Sequence, residues 1–447
     1  MPPARNCTGK RGMHRMDTLQ AAANRNWRTR HTAAFLSALA MGLGQMYNRQ
    51  WVKGILLLVL EISYLGVFHD LFNMGLWGIV TLGTKPFRDH SIQLLAEGII
   101  ALILIAFGLL CYALNVRDAY RVGAMRERGL RPPGVWETYR TVTDKGYPYL
   151  LIAPGMLLLV FVVLFPLLFM VLLAFTNFDL YHWPPAKLVD WVGFSNFIQL
   201  FRLEIWRNSF FSVMSWTVVW TLVSTTVQFA LGFLLAVLLN QERVKGKKLF
   251  RTLLILPWAV PSFVSVLVFA GMFNDDFGPI NQMLQAVGME AIPWLTDPFW
   301  TKVAILLIQF WLGFPFNLAL CTGVLQTIPS DLYEAAEVDG ATPWQKLKDI
   351  TLPLVLYATA PLLIVQYAGN FNNFTVIYLF NQGGPAVPGQ TAGGSDILIS
   401  WVFKLTFETQ KFNYAAAVSV IIGVIVAALA VWQFRKTRSF QEEDLIQ

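Results

Sequence analysis

Long uncharged apolar runs, separated by shorter polar segments, dominate the pattern of the chain. Eight of these runs are too long for a soluble core and approach the roughly 20 residues that a helix needs to cross a bilayer. We therefore predict an all-α polytopic membrane protein. Its eight spans are expected at about 51–71, 95–116, 149–176, 209–240, 252–273, 303–327, 354–378 and 412–434.

Composition supports this prediction. Of the 447 residues, 55% are hydrophobic and only 14% are charged, whereas about 25% of a typical soluble protein is charged. The net charge of +7 suits basic cytoplasmic loops better than a nucleic-acid partner.

The distribution of lysine and arginine predicts the orientation. With the N-terminus inside, the predicted inner segments hold 24 basic residues and the outer segments hold 7. Cytoplasmic loops carry such an excess. We expect a multi-pass protein of the cell membrane with both termini in the cytoplasm.

The spans divide into an N-terminal addition and a six-helix body. Glu61 interrupts the first span, and we expect it near an interface or paired with a neighbouring chain. The predicted organisation is a cytoplasmic tail 1–33, a two-span extension with a basic linker 34–147, a six-helix body 148–440 and a tail 441–447.

The loop between spans six and seven, residues 328–353, is longer and more patterned than a simple connection requires. Gly340 permits a left-handed turn, and Thr342 followed by Pro343 is a standard helix start. The pattern predicts a helix, a turn and a second helix outside the membrane. Two interpretations remain open: the loop docks onto a partner, or it is a solvated amphipathic loop.

The stretch "EAAEVDGATPWQKLKDITLP" resembles the EAA loop of binding-protein-dependent ABC importer permeases. In that family the loop docks into a cleft of a cytoplasmic ATPase and transmits its closure to the spans. The chain has no G-x-x-x-x-G-K-[ST] phosphate loop, so we expect no ATP hydrolysis by this chain. The matching positions are Glu334, Ala335, Ala336, Gly340, Ile350, Leu352 and Pro353.

Residues 145–440 resemble the MalF-type subunit of maltose and maltodextrin importers. The resemblance implies inward transport of a maltose-like oligosaccharide by alternating access. It also implies three partners: a homologous second permease, an ATPase dimer and an extracytoplasmic sugar-binding protein. Only about thirty residues stand where the enteric subunit has a large periplasmic domain, so short loops are expected to contact the binding protein.

Span seven carries amides at helical spacing, since Gln366, Asn370 and Asn373 stand at i, i+4 and i+7. Amides bond sugar hydroxyls; the alternative is polar packing between helices. The family resemblance implies a sugar site in spans six and seven. The chain departs from the family at three of its positions. The family often has Asn where this chain has Gln309, Tyr where it has Phe316, and an aromatic residue where it has Gly369. The implied site residues are Gln309, Leu312, Gly313, Phe316, Gln366, Gly369, Asn370 and Asn373.

Alternative functions follow from the same spans. The six body spans contain no Asp, Glu, Lys, Arg or His, and proton-coupled carriers commonly place such residues at membrane depth. An ion-coupled secondary sugar transporter therefore remains the less favoured alternative, together with a permease for a different sugar and a structural scaffold. The three cysteines are far apart, and we expect no metal or cofactor.

Overall fold

The computed structural model describes residues 29–241 and 243–436. Within them every regular element is a helix, which confirms the predicted all-α class. The predicted tail 441–447 and most of the tail 1–33 lie outside the described residues. The chain divides into two compact units, which we describe separately: Met1–Leu172 with Tyr181–Trp191, and Leu173–Leu180 with Val192–Gln447.

The first unit contains seven helices in its described part. A π-helical turn, Val160–Leu164, joins the last two. The final residue of α7 belongs to the second unit. The helices are α1 (residues 29–39), α2 (Leu43–Tyr47), α3 (Trp51–Thr81), α4 (Ser91–Glu127), α5 (Val135–Lys145), α6 (Tyr147–Leu159) and α7 (Phe165–Leu173).

The second unit contains the remaining helices of the described residues. A π-helical turn, Lys346–Thr351, connects α15 to α16. The helices are α8 (Ser195–Arg202), α9 (Glu204–Asn240), α10 (Lys247–Ala259), α11 (Ser262–Met272), α12 (Pro279–Ala286), α13 (Pro298–Leu325), α14 (Ser330–Val338), α15 (Pro343–Gln345), α16 (Leu352–Phe371), α17 (Phe374–Asn381), α18 (Leu398–Phe407) and α19 (Phe412–Lys436).

Six helical stretches in the described residues are long and apolar enough to cross a bilayer. They are α3, α4, the stretch Tyr147–Leu173, α9, α13 and the stretch Pro343–Asn381. The bent pair α10 and α11 can add a seventh. Helix α19 coincides with the eighth predicted span, and its apolar part Phe412–Ala428 is shorter than the others. The chain is therefore a multi-pass membrane protein.

The fifth predicted span differs from the expected continuous helix. Helices α10 and α11 meet at an angle of 90°. Val260 between them is extended, with φ −90° and ψ 131°, because Pro261 disfavours the helical conformation in the residue before it. Pro261 then serves as the N-cap position of α11.

Polar side chains hold the first unit together where α2, α3 and α4 meet. Gln45 is fully buried and donates to Asn115 Oδ1 at 2.8 Å, and Lys53 pairs with Asp118 at 2.7 Å. The Glu61 carboxylate accepts the backbone N–H of Met41 at 2.8 Å. The expectation that Glu61 lies near an interface or pairs with a neighbouring chain stays a prediction, because this contact does not neutralise the carboxylate.

The core of the second unit lies along α9 and α13. Trp220 of α9 is fully buried and packs in one cluster with Ile305 of α13 and Ile377 of α17. Further along the same two helices, Phe233 and Leu318 pack with Val355 of α16. These contacts bring spans four, six and seven side by side.

A buried ion pair anchors the loop between α17 and α18. Asp396 is 1% exposed, and its carboxylate accepts from Lys404 Nζ at 2.7 Å and from the backbone N–H of Gly393 at 2.7 Å. Burial is the largest influence on the Asp396 carboxyl and raises its pKa, while the Lys404 ammonium opposes the shift. Gly383, with φ +71°, leaves the space that Asp396 fills, because a Cβ there would lie 1.7 Å from Oδ1.

Asp396→Ala is expected to destabilise the second unit by about 3–5 kcal/mol, because it leaves the Lys404 charge largely buried without a partner. The melting temperature of the purified chain or complex measures this. Asp144→Ala is the matched control, since its partner Arg140 lies 3.6 Å away and both side chains are mostly exposed; such pairs contribute about 0–1 kcal/mol. Equal effects of the two substitutions would contradict the anchoring role of Asp396.

Candidate functional site

A cluster of amides joins three of the membrane helices in the second unit. Gln309 on α13 donates from Nε2 to Asn370 Oδ1 at 2.9 Å. Asn370, at the end of α16, donates from Nδ2 to Thr225 Oγ1 on α9 at 2.8 Å. Asn373 donates to Gln309 Oε1 at 3.1 Å. We call Thr225, Gln228, Gln309, Asn370 and Asn373 the amide cluster.

Gln228 completes the amide cluster from α9. Its Nε2 donates to the backbone carbonyl of Gln309 at 2.8 Å. Gly313 makes this possible, because a Cβ on Gly313 would lie only 2.1 Å from Gln228 Cδ. Gly313 is thus the place where α9 approaches α13, and the Gln228 amide fills the space beside it.

The predicted amide face of span seven is not one continuous helical face. Helix α16 ends at Phe371, and Asn373 is the N-cap of α17, so the i+7 position lies beyond the helix. Asn370 and Asn373 nevertheless converge on Gln309. Gln366 lies apart from them: it is half-buried, and its Oε1 has no partner among the described residues.

The other predicted sugar-site residues are less buried than most of the amide cluster. Gly369 is exposed, with nothing within 4 Å of a Cβ built on it. Leu312 and Phe316 are half-buried, and the Phe316 ring meets Trp258 edge-to-face at 5.9 Å. The predicted set therefore divides into a buried group around Gln309 and a more open group, which comprises Gly369, Gln366, Leu312 and Phe316.

The amide cluster retains hydrogen-bonding capacity that suits a neutral polar ligand. Each side-chain amide nitrogen carries two hydrogens. Gln309 Nε2 donates only one hydrogen bond, and Asn370 Nδ2 likewise donates only one. Gln366 contributes a free acceptor. Such groups can bond hydroxyls without ion pairing.

The loop of residues 328–353 has the predicted helix, turn and helix. Gly340 adopts φ +78° at the end of α14, and Ala341 N donates to Ala336 O at 2.8 Å. Thr342 is the N-cap of α15 and forms a capping box with Gln345. The turn chemistry expected from the sequence is thereby confirmed.

Two side-chain contacts hold α14 against the second arm of the loop. Tyr333 and Thr351 share a hydrogen bond between their hydroxyls at 3.0 Å, and Lys346 pairs with Glu337. The predicted coupling residues Ile350, Leu352 and Pro353 lie in the π-helical turn and the first turn of α16. The second arm is consequently continuous with span seven.

The outer face of the loop is exposed. Glu334 and Ala335 are exposed on α14 and Ala336 is half-buried. Val338 is 90% exposed and Trp344 is 68% exposed. Large apolar side chains with this exposure beside an acid form a surface suited to a protein partner.

A polytopic helical body with an uncharged amide cluster and a patterned helical loop defines a membrane transport permease. Residues 228–439 match the family model described as "Binding-protein-dependent transport system inner membrane component". The chain belongs to this family of inner membrane transport components. It is a permease subunit, not an enzyme, of an ATP-driven importer, in which ATP hydrolysis is the task of a separate subunit.

Two relatives align over nearly their whole length. The galactooligosaccharides transport system permease protein GanP of Bacillus subtilis (strain 168) is 53% identical over 411 residues, 92% of this chain and 98% of the relative. The maltodextrin transport system permease protein MdxF of the same organism is 44% identical over 425 residues, 92% of this chain and 97% of the relative. The expected resemblance to maltodextrin-type permeases is confirmed.

A solved structure shares the fold. A chain of a bacterial ABC transporter involved in the import of the acidic polysaccharide alginate superposes with a TM-score of 0.57 at 22% identity. The match covers 68% of this chain and 98% of that chain.

Sequence reasoning missed two parts of this region. Thr225 and Gln228 on α9 are not among the predicted site residues, yet they form hydrogen bonds with Asn370 and Gln309. Gly313, about one helical turn beyond Gln309, indicates that another helix can approach closely there, but the sequence does not show which residues meet it. The π-helical turn has no such signal.

Proposed function

We propose that this permease moves a neutral oligosaccharide, of the maltodextrin or galactooligosaccharide kind, into the cytoplasm. The observation that carries the proposal is the amide cluster with the open group beside it. This arrangement offers donors and acceptors for sugar hydroxyls without a charge. The names of the two relatives support the same class of substrate, and the higher identity of the GanP relative favours galactooligosaccharides.

We further propose the partners of the chain: a homologous second permease, a dimer of ATPase subunits on the cytoplasmic side and an extracytoplasmic sugar-binding protein. Both termini and the loop 328–353 lie in the cytoplasm in this proposal, as the basic residues indicate. The exposed Glu334, Ala335 and Trp344 support a docking role for the loop. The carboxylate of Glu334 suits a basic residue of the ATPase.

The coupling mechanism follows from one continuous helical stretch. From Pro343 through the π-helical turn to Phe371 the backbone stays helical, which corresponds to roughly 40 Å at 1.5 Å per residue. Asn370 stands at the far end of this stretch. When closure of the ATPase dimer displaces the loop, this continuous helical stretch carries the displacement to the amide cluster. The displacement changes the access of the sugar to its site.

Two classes of residue have different roles in this proposal. Asn370 and Gln309 satisfy one another and hold α13 and α16 at a fixed distance. Gln366, whose buried Oε1 has no partner among the described residues, and the exposed Gly369 contact the sugar. The same helix thus supplies both the structural contact and the binding surface.

The purified complex with its binding protein tests the substrate class directly. Galactooligosaccharides and maltodextrins are expected to stimulate its ATPase activity, with the stronger stimulation by galactooligosaccharides. Acidic oligosaccharides are expected to give none, because the amide cluster provides no cationic partner. Stimulation by an acidic oligosaccharide alone would contradict the proposed substrate class.

Gln366→Leu is expected to weaken sugar stimulation about tenfold in half-maximal concentration, since a lost hydrogen bond to a ligand is worth about 1–3 kcal/mol. Yield and melting temperature of the complex stay near wild type. Asn370→Leu is expected to lower both, because it removes the hydrogen bonds that Asn370 forms with Gln309 Nε2 and Thr225 Oγ1. Val365→Leu is the control, as Val365 is 66% exposed and adjacent. A normal sugar response of Gln366→Leu would remove Gln366 from the site.

Gly340→Val is expected to uncouple ATP hydrolysis from transport. Left-handed backbone costs a β-branched residue roughly 1–2 kcal/mol, while the space around Gly340 is open, so the effect comes from the turn alone. Gly340→Asn is the matched control, because asparagine tolerates this conformation. The ratio of sugar imported to ATP hydrolysed in proteoliposomes is the readout. Full coupling in Gly340→Val would show that the turn geometry is not required.

A further inference from the structure

A basic cavity lies in the first unit where the chain turns from α2 into α3. It encloses about 430 Å³. Residues 49–53 form one wall, and residues 131–135 with Thr138 form the other. All of them belong to the first unit, and neither the amide cluster nor the loop 328–353 contributes to it.

The charge in the cavity is only partly balanced. Lys53 is paired with Asp118 at 2.7 Å. Arg49 and Arg131 are exposed, and their guanidinium groups have no hydrogen bond or ion pair among the described residues. Of the two acids nearest to Arg131 in sequence, Glu127 pairs with Arg30 at 3.5 Å, and Glu137 accepts the backbone N–H of Gly134 at 2.8 Å. Two guanidinium groups therefore remain for an anion, and guanidinium groups bind phosphate in a bidentate manner.

Gln50 adds an unsatisfied group to the same cavity. Its side chain is 7% exposed, and its Nε2 donates to the Pro133 carbonyl at 2.8 Å. Its Oε1 is buried and has no partner, which is costly for a polar atom unless a ligand supplies a donor. A hydroxyl group is the simplest neutral donor. The ligand that fits this cavity carries both a phosphate and a hydroxyl.

A separate apolar groove of about 330 Å³ lies farther along α3. Leu60 and Tyr64 of α3 line it with Gly108 of α4. Lys53, Leu60 and Tyr64 stand at i, i+7 and i+11 on one stripe of α3, so the groove begins roughly 10 Å from Lys53. Glu61 also lines the groove, and its carboxylate is occupied by the Met41 N–H.

We propose that this cavity and groove together bind one anionic phospholipid with a hydroxylated headgroup, of the phosphatidylglycerol kind. The phosphate lies between Arg49 and Arg131, a headgroup hydroxyl donates to Gln50 Oε1, and an acyl chain occupies the groove. Trp51, 62% exposed at the rim, suits the membrane interface. Free phosphate would use the arginines but leave the groove without an occupant.

The test uses the complete complex in mild detergent and measures bound lipid by native mass spectrometry and by the shift in melting temperature. Dioleoyl phosphatidylglycerol is expected to bind at least tenfold more tightly than dioleoyl phosphatidylcholine. Glycerophosphoglycerol and inorganic phosphate, which lack acyl chains, are expected to give no shift. A shift with either of these alone would show a site for free anions and overturn the lipid proposal.

Two variants separate the site from general surface charge. Arg49→Gln with Arg131→Gln is expected to weaken phosphatidylglycerol binding about tenfold or more. Arg117→Gln with Arg121→Gln removes the same charge from exposed positions of α4 and is expected to leave binding unchanged. Equal loss in both pairs would overturn the proposal.

Leu60→Trp, which fills the groove and keeps every charge, is also expected to weaken binding, and unchanged binding there would exclude the groove.

Discussion

Polar groups inside a bilayer must find partners within the protein, and this constraint determines how the second unit is arranged. No water is present at membrane depth to satisfy an amide, so an unpaired one costs several kcal/mol. The amide cluster meets the constraint by linking α9, α13 and α16 through Thr225, Gln309 and Asn370. The position of span seven relative to spans four and six depends on these bonds.

The same helix that carries Asn370 begins in the loop 328–353. Because α15, the π-helical turn and α16 are continuous, the loop cannot move without moving span seven. Tyr333 and Glu337 hold α14 against this continuous helical stretch through Thr351 and Lys346, so both arms of the loop move together. The exposed loop outside the membrane and the polar contact within it thus belong to one continuous helical stretch, as the proposed coupling to a separate ATPase requires.

Much of this could be predicted from sequence because the signals are local. The apolar runs, the left-handed Gly340 and the Thr342–Pro343 helix start depend on residues close in the chain, and the structure agrees with each. The break at Pro261 was detectable from proline chemistry but was read as part of a continuous span. The contacts of Gln228 and Thr225 with Gln309 and Asn370 were not predictable, since they join residues 81 and 145 positions apart.

The measurement that tests the account most directly is oligosaccharide uptake by proteoliposomes containing the complete complex and its binding protein. The account predicts uptake that requires ATP on the side of the loop 328–353 and stops when ATP is replaced by a non-hydrolysable analogue. It predicts no uptake driven by a sodium or proton gradient without ATP. Gradient-driven uptake by the chain alone would contradict it.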